Sequence, residues 1–227
     1  MKPLSILVDL DSTLVEILPK WLERTRTART IRSGGEAQPL YTPADVTSWD
    51  SPHLDLEVLG FPEFFEDLPP MPGGREAMKR LHDDGHKIIV CSAPATPESA
   101  MYKLRWVKEH LPFLNWKHTI LTQKKERIPT DVLIDDSPSL HKSYRKAHGA
   151  SFIATVRFPC HTLETFKLCN VVADGWDRPI HAWNEIYERI RGHAAGAVND
   201  RCTHPRKRRG GEYEFDTCID CGSQVAP

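Results

Sequence analysis

Four stretches of the sequence place a polar or charged group directly after a run of apolar residues. The first is LSILVDLDST, in which Asp9 and Asp11 are separated by a single residue at the end of the apolar run 4–10. Two carboxylates this close at the end of a buried strand repel each other unless a cation offsets their charge. Hard cations such as Mg²⁺ prefer carboxylate and carbonyl oxygens. The spacing therefore predicts a magnesium site, and the alternative is an Asx turn that caps a helix.

The next two stretches supply a hydroxyl group and an ammonium group. HKIIVCS, residues 86–92, ends in Ser92, and the backbone N–H groups of the turn that follows would complete a phosphate seat. HTILT, residues 118–122, is followed by the neighbouring lysines Lys124 and Lys125. Both stretches therefore carry groups that suit a phosphate anion.

The fourth stretch, DVLIDD at 131–136, ends in a second acidic pair, Asp135 and Asp136. The order along the chain is thus a carboxylate pair, a hydroxyl, a lysine and a second carboxylate pair. That order predicts phosphate chemistry assisted by a divalent cation.

These groups can act together only if the fold brings the ends of several strands to one place. Apolar runs rich in branched residues predict the four strands above and two more at 150–156 and 170–174. Helical patterns lie at 75–85, 97–111, 137–149 and 178–192. Strands that alternate with helices indicate an α/β fold, with a Rossmann-like parallel sheet covered on both faces. Ligands bind such sheets at the carboxyl ends of the strands.

About sixty residues, 15–74, separate the first two strands and interrupt this alternation. They contain one predicted helix, around 16–29, then a glycine loop and an aromatic-rich segment. We interpret residues 15–74 as a mainly helical cap inserted into a core formed by 1–14 and 75–192.

The end of the chain carries a different pattern, after a predicted linker at 193–201. Residues 202–227 hold a C-x-H and a CxxC motif, whose candidate ligands are Cys202, His204, Cys218 and Cys221. Three thiolates and one imidazole suit tetrahedral Zn²⁺, and so small a tail needs a metal to fold. The alternatives are a disordered tail or a redox pair. The basic run Arg206 to Arg209 would bind nucleic acid or another acidic partner, unless it is a solvated loop.

Composition excludes several classes of protein. The 227 residues are 40% hydrophobic and 27% charged, which is typical of a globular chain. The 30 Lys and Arg residues against 31 Asp and Glu residues exclude a globally basic nucleic-acid binder. No apolar run approaches the roughly 20 residues of a membrane span, and no signal-peptide pattern opens the chain. We therefore expect no membrane partner and a cytoplasmic location.

The order of the four motifs resembles the haloacid dehalogenase (HAD) superfamily of phosphohydrolases. Longer stretches resemble its 5′(3′)-deoxyribonucleotidases, namely FFEDLPPMPGGREAMKRL, IIVCSAP, RWVKEHLPF and ILTQKKERIPTDVLIDDSP. The resemblance covers about residues 4–190. It implies a phosphoric monoester hydrolase whose partner is a small nucleotide, a deoxynucleoside monophosphate. Such proteins are often dimers, so the resemblance also implies a homodimer, although the sequence shows no interface.

The resemblance implies roles for the acidic residues. Asp9 would attack phosphorus to form an aspartyl-phosphate, and Asp11 would act first as an acid and then as a base. Asp9, the backbone carbonyl of Asp11 and Asp136 would hold Mg²⁺, with Asp135 as the alternative direct ligand. Ser12 replaces the glycine that is usual after the second aspartate.

The resemblance also implies the phosphate contacts. Ser92 would donate to a phosphate oxygen, and Lys125 would offset the phosphate charge. Lys124 stays open as the alternative, because relatives usually carry Asp before this lysine. Ala93 stands where relatives often have Ser. Lys103 falls where relatives carry a second phosphate-binding lysine, and the alternative is a solvated helix lysine.

The cap would select the substrate. Aromatic rings stack on nucleobases, and the candidates are Trp49 and either Phe64 or Phe65. The alternative is that these three rings form the core of the cap.

Two other functions stay open. One is a 3′-phosphatase acting on nucleic-acid ends, which the tail favours and the large cap disfavours. The other is a zinc-dependent nucleic-acid-binding protein with a degenerate HAD core, which the intact motif set disfavours.

Overall fold

A computed structural model of the chain describes residues 1–46, 51–149, 151–157, 168–175 and 178–196. Beyond residue 196 it describes only the backbone of three short strands. Across this part of the chain, no helix is both long enough and apolar enough to cross a membrane.

Six parallel strands form the central sheet. In chain order they are β1 (Ser5–Val8), β2 (Lys87–Ser92), β3 (Ile120–Leu121), β4 (Val132–Ile134), β5 (Phe152–Arg157) and β6 (Val171–Asp174). Their order in space is β3-β2-β1-β4-β5-β6, so β1 is central, and its Val8 lies opposite both Val90 and Ile134. The predicted α/β fold with a parallel sheet is confirmed. The strand order reverses at β1, where such sheets form their ligand crevice.

The described residues form five α-helices, of which the first lies in the segment predicted as the cap: α1 (Leu18–Arg32), α2 (Gly74–Asp83), α3 (Pro97–His110), α4 (Pro138–His148) and α5 (Pro179–Ala194). A proline at the first helical position starts α3, α4 and α5, where its missing N–H costs no hydrogen bond. The Thr96 and Ser99 side chains also form a capping box at the start of α3. Each helix lies within a few residues of its predicted place, and α5 runs two residues into the predicted linker.

Alternate residues of the strands point to opposite faces of the sheet, and both faces are buried. On one face Ile6 and Val8 pack in the main core with Met78 of α2 and Trp183 of α5. On the other face Leu7, Leu133 and Ile153 pack with Tyr144 of α4 in a smaller cluster. Burial on both faces explains why the strands are continuous apolar runs in the sequence.

Where it is described, the segment predicted as the cap contains α1 and three short 3₁₀ helices at Pro43–Asp45, Leu56–Gly60 and Pro62–Phe65. Trp21 Nε1 of α1 donates to the Asp55 carbonyl at 2.8 Å, which ties the helix to the later part of the cap. Where the chain leaves and re-enters the core, Val15 forms isolated bridges with Asp11 and with Pro70. Both ends of the cap are therefore anchored beside the Asp9–Asp11 loop.

The three strands near the end of the chain are β7 (Lys207–Arg208), β8 (Asp216–Cys218) and β9 (Gln224–Val225). They pair antiparallel in the order β7-β8-β9. Cys202, His204, Cys221 and the side chain of Cys218 lie outside the described residues. The zinc site, the roles of the tail and the domain boundaries therefore stay predictions.

The junction between α2 and α5 predicts a difference between two glycines. Gly73 and Gly85 both have φ of +86°, but a Cβ at Gly73 would lie 2.9 Å from Ile180 Cα, whereas a Cβ at Gly85 would meet nothing within 4 Å. Gly85→Ala should cost about 1 kcal/mol of unfolding free energy from backbone strain alone. Gly73→Ala should cost about 2 kcal/mol more, because α5 must also shift. Urea unfolding measures both, and equal losses would contradict this packing.

Candidate active site

The carboxyl ends of β1 and β4 bring the two acidic pairs together. Asp9 follows β1 directly, and its backbone N–H donates to the Ile134 carbonyl at 2.8 Å, which extends the pairing of the two strands. Asp135 and Asp136 follow β4 in the same way. One carboxylate oxygen from each of Asp9, Asp135 and Asp136 lies within 4.8 Å of the others, and all three residues are buried.

Lys125 faces this carboxylate cluster (Asp9, Asp135 and Asp136). It begins the 3₁₀ helix Lys125–Arg127 after β3, and its Nζ donates to Asp9 and, at 2.8 Å, to Asp135 Oδ2. Lys124 is exposed, and its backbone N–H donates to Thr122 Oγ1. Of the two lysines left open by the sequence, the structure thus brings Lys125 to the cluster.

Burial and mutual repulsion set the protonation of the cluster. Burial raises the pKa values of Asp9 and Asp136, and for Asp136 the neighbouring charges of Asp135 and Asp9 raise the pKa further. Burial alone would lower the pKa of Lys125, but the charges of Asp9 and Asp135 outweigh it and raise the pKa. The lysine therefore stays charged, while two of the carboxyl groups are poorly compensated.

Asp11 belongs to a second ion pair on the cap side of the cluster. Lys103 of α3 is only 2% exposed, and its Nζ donates to Asp11 Oδ2 and, at 3.1 Å, to Ser92 Oγ. The alternative that Lys103 is a solvated helix lysine is therefore wrong. Burial raises the pKa of Asp11 against the opposing effect of Lys103.

The other oxygen of Asp11, Oδ1, is buried and has no hydrogen-bond partner among the described residues. The loop that presents this carboxylate turns at Ser12, whose φ of 56° lies in the left-handed region that favours glycine. The Ser12 N–H donates to the Val15 carbonyl at 3.0 Å, which holds the turn. Ser12 therefore adopts a backbone conformation that glycine adopts without strain, which gives a physical reason for the glycine that is usual at this position.

The structure separates the aromatic candidates of the cap. The Phe65 ring centroid lies 4.5 Å from Lys103 Nζ, so Phe65 borders the ion pair of Asp11. Phe64 meets Phe65 edge to face, is buried in the cap and lines a groove with α1. Of the two rings, Phe65 is thus the one that contacts Lys103. Trp49 lies outside the described residues.

The backbone around the site includes further contacts that the sequence reasoning missed. Asp135 Oδ1 accepts from the Ser137 N–H at 2.8 Å, and the Asp135 carbonyl oxygen lies 2.7 Å from His141 Nε2. The only signal in the sequence is that polar aromatic residues recur at helical spacing just after the second acidic pair. Ala93, half-buried beside Ser92, brings no polar side-chain atom to the site.

The chain is similar to several known proteins. The model of the family "5′ nucleotidase, deoxy (pyrimidine), cytosolic type C protein" matches residues 2–195. The 5′(3′)-deoxyribonucleotidase of Bacillus subtilis strain 168 is 25% identical over 142 residues, which cover 58% of this chain and 74% of that protein. A Staphylococcus aureus (strain Mu50) protein, provisionally named a 5′(3′)-deoxyribonucleotidase, is 36% identical over 85 residues, or 37% of this chain. The match spans about half of that relative, 47% of its length.

A solved structure shares the fold. The HAD family hydrolase from Deinococcus radiodurans R1 aligns with a TM-score of 0.52 and 15% identity, over 85% of this chain and 95% of that one. At this identity the likeness concerns the fold alone. The family model covers residues 2–195, which include all six strands of the central sheet and the segment predicted as the cap. The chain therefore belongs to the 5′ nucleotidase, deoxy (pyrimidine), cytosolic type C protein family, and has a HAD-type fold.

Proposed function

We propose that the chain is a Mg²⁺-dependent phosphatase that releases inorganic phosphate from deoxynucleoside monophosphates through an aspartyl-phosphate. The observation that carries the proposal is the buried cluster of Asp9, Asp135 and Asp136 around Lys125, with Asp11 beside it. Membership of the nucleotidase family and the name of the Bacillus subtilis relative support the substrate class.

The residues present fit a divalent cation. Three buried carboxylates face one lysine, which leaves two negative charges uncompensated, and uncompensated buried charges cost several kcal/mol. An ion with a charge of two and a preference for oxygen ligands would remove this cost. Mg²⁺, when bound, would shield the phosphate so that a carboxylate can approach it.

Asp9, Asp136 and the backbone carbonyl of Asp11 are the proposed ligands. Both oxygens of Asp135 already have partners, since Oδ2 accepts from Lys125 and Oδ1 accepts from the Ser137 N–H. This supports Asp136 over Asp135 as the direct ligand, with Asp135 holding the lysine.

Asp9 would be the nucleophile. One of its carboxylate oxygens would form a bond to phosphorus as the bond from phosphorus to the ester oxygen breaks. Asp11 would give a proton to the departing ester oxygen, and the nucleoside would leave. Asp11 would then take a proton from water as the water oxygen attacks phosphorus, which breaks the bond to Asp9 and releases phosphate.

Ser92, Lys103 and Lys125 would hold the transferring phosphoryl group. Lys125 contacts Asp9, whereas Lys103 contacts Asp11 and Ser92, so the two ammonium groups and the hydroxyl group would contact different oxygens of one phosphate. The Lys103 ammonium group contacts both Asp11 and Ser92. This supports a position for Lys103 between the phosphate and Asp11, the proposed proton donor. Of the two phenylalanine candidates, Phe65 would contact the nucleoside, because it borders Lys103.

The other functions considered rest on the tail. A 3′-phosphatase for nucleic-acid ends and a zinc-dependent nucleic-acid binder both depend on residues 202–227, and the described side chains offer no observation that favours either. The zinc site, the acidic partner of Arg206–Arg209 and the homodimer stay predictions.

Asp9→Asn tests the nucleophile. An amide cannot form the aspartyl-phosphate, so phosphate release from dTMP should fall by about 10³-fold or more, while the circular dichroism spectrum stays unchanged. The control is Asp83→Asn, because Asp83 pairs with Lys79 on the exposed surface of α2. It should keep wild-type activity. Substantial turnover by Asp9→Asn would remove Asp9 from this role.

Asp136→Asn tests the charge balance through pH. The pKa of Asp136 is raised in the folded chain, so the folded state loses stability relative to the unfolded state as pH rises from about 4 through the raised value. In EDTA, Asp136→Asn should therefore gain stability over wild type between about pH 5 and pH 8, by about 1.4 kcal/mol per unit of pKa difference. Adding Mg²⁺ should stabilise wild type more than the variant.

Urea unfolding at about pH 5 and about pH 8, with and without Mg²⁺, measures the free energy of unfolding of wild type and variant. Glu36→Gln is the control, because Glu36 is an exposed cap carboxylate and its replacement should follow wild type at every pH. A difference between Asp136→Asn and wild type that does not change with pH would contradict the charge balance.

A substrate comparison separates the proposed function from its alternatives. The value of kcat/KM for dUMP and dTMP should exceed that for a 3′-phosphorylated oligonucleotide by about tenfold or more. Both ends of the cap are anchored beside the Asp9–Asp11 loop, and a polymer end would need an open groove there. Asp9→Asn gives the background rate for both substrates. Faster turnover of the oligonucleotide would favour the 3′-phosphatase, and DNA binding with no turnover of either substrate would favour the binding protein.

A further inference from the structure

Helix α4 presents three hydrogen-bonding side chains on one face. His141, Tyr144 and His148 follow the spacing i, i+3, i+7, which places them in one row along the helix. Each meets a backbone carbonyl oxygen outside the helix. His141 Nε2 lies 2.7 Å from the Asp135 oxygen, Tyr144 OH lies 3.0 Å from the Ile128 oxygen, and His148 Nε2 lies 2.8 Å from the Glu126 oxygen.

These three carbonyls belong to the segments that carry Lys125 and Asp135. Glu126 follows Lys125 in the 3₁₀ helix, and Ile128 comes directly after its last residue. Tyr144 OH also accepts from the Thr130 N–H at 3.0 Å and lies 2.6 Å from Thr130 Oγ1. The inner face of α4 (His141, Tyr144 and His148) thus contacts the turn that joins Lys125 to β4 at three positions, and it also contacts Asp135 directly after that strand.

The turn has few hydrogen bonds of its own. The Arg127 N–H donates to the Lys124 carbonyl and the Ile128 N–H donates to the Lys125 carbonyl, both at 3.0 Å. A 3₁₀ helix this short is weak by itself, so the contacts from α4 supply much of its order.

The protonation of His141 is set by its surroundings. A carbonyl oxygen can only accept, so Nε2 must carry the proton. On the other side of the ring, Nδ1 lies 3.3 Å from Cys169 Sγ. Burial lowers the pKa of His141 to about 4 and raises that of Cys169 to about 12, so the thiol donates to a neutral ring.

We propose that the inner face of α4 positions Lys125 against Asp9 and Asp135 for phosphoryl transfer. The inference rests on the proposed function in one respect, that Lys125 acts on the phosphoryl group. His141, Tyr144 and His148 are positioning residues, because they contact the backbone of the site and not its reacting groups. Errors of about 1 Å in such a site cost about 10²-fold in rate.

His148 gives the cleanest test, since it is half-buried while His141 and Tyr144 are fully buried. His148→Leu removes the hydrogen bond to the Glu126 carbonyl. His148→Gln keeps an N–H group at the position of Nε2. Lys146→Ala is the matched control, because Lys146 is exposed on the same helix.

The first measurement is a double-mutant cycle on phosphate release from dTMP. His148→Leu should lower kcat by about tenfold with a smaller change in KM, His148→Gln should recover most of this loss, and Lys146→Ala should match wild type. In a Lys125→Ala background, His148→Leu should have little further effect, because the group that it positions is absent. An equal loss in both backgrounds would overturn the inference, since it would show a structural effect independent of Lys125.

The second measurement does not depend on activity. Amide hydrogen exchange of residues 124–130 should speed up in His148→Leu and not in Lys146→Ala, while exchange in α2 stays unchanged. Unchanged exchange at 124–130 would overturn the inference. If the wild-type protein hydrolyses no nucleotide, the proposed function fails, and the exchange result still decides whether α4 orders the Lys125 turn.

Discussion

The structure depends on a concentration of negative charge at the ends of its two central strands. The pairing of β1 with β4 forces Asp9 and Asp135 side by side, and Asp136 completes a cluster whose oxygens lie within 4.8 Å. Buried like charges are unstable unless cations offset them. Lys125 offsets part of the charge of this cluster, and the remaining charge makes the site suited to a divalent ion. The proposed affinity for a divalent ion would therefore follow from the strand order.

Two helices, α3 and α4, hold the lysines that face the acidic residues. Helix α3 delivers Lys103 to Asp11 and Ser92, and the Trp106 indole of the same helix donates to the Leu68 carbonyl where the cap returns to the core. On the other side, α4 braces the turn that carries Lys125. Each lysine thus depends on a different helix, and the two contact different aspartates of the Asp9–Asp11 loop. In the proposed function, one phosphoryl group would contact both.

The sequence predicts the scaffold well, because apolar runs and acidic pairs are local patterns. It cannot choose between neighbours such as Lys124 and Lys125, or Phe64 and Phe65, since only the turn geometry decides which side chain faces the site. Strand β3 is two residues long and not five, because only Ile120 and Leu121 pair with β2. The contacts of α4 could not be predicted for another reason. Its side chains contact backbone carbonyl oxygens, which every residue has, so the sequence does not show which residues will be the partners.

The most direct test of the central claim is to trap the phosphorylated residue. Protein mixed with dTMP and Mg²⁺ would be quenched and treated with borohydride, which reduces an acyl phosphate to an alcohol, and then mapped by peptide mass spectrometry. The charge cluster predicts conversion of Asp9 to homoserine, in the presence of substrate only. Steady phosphate release with Asp9 unmodified, or with another residue reduced in its place, would contradict it.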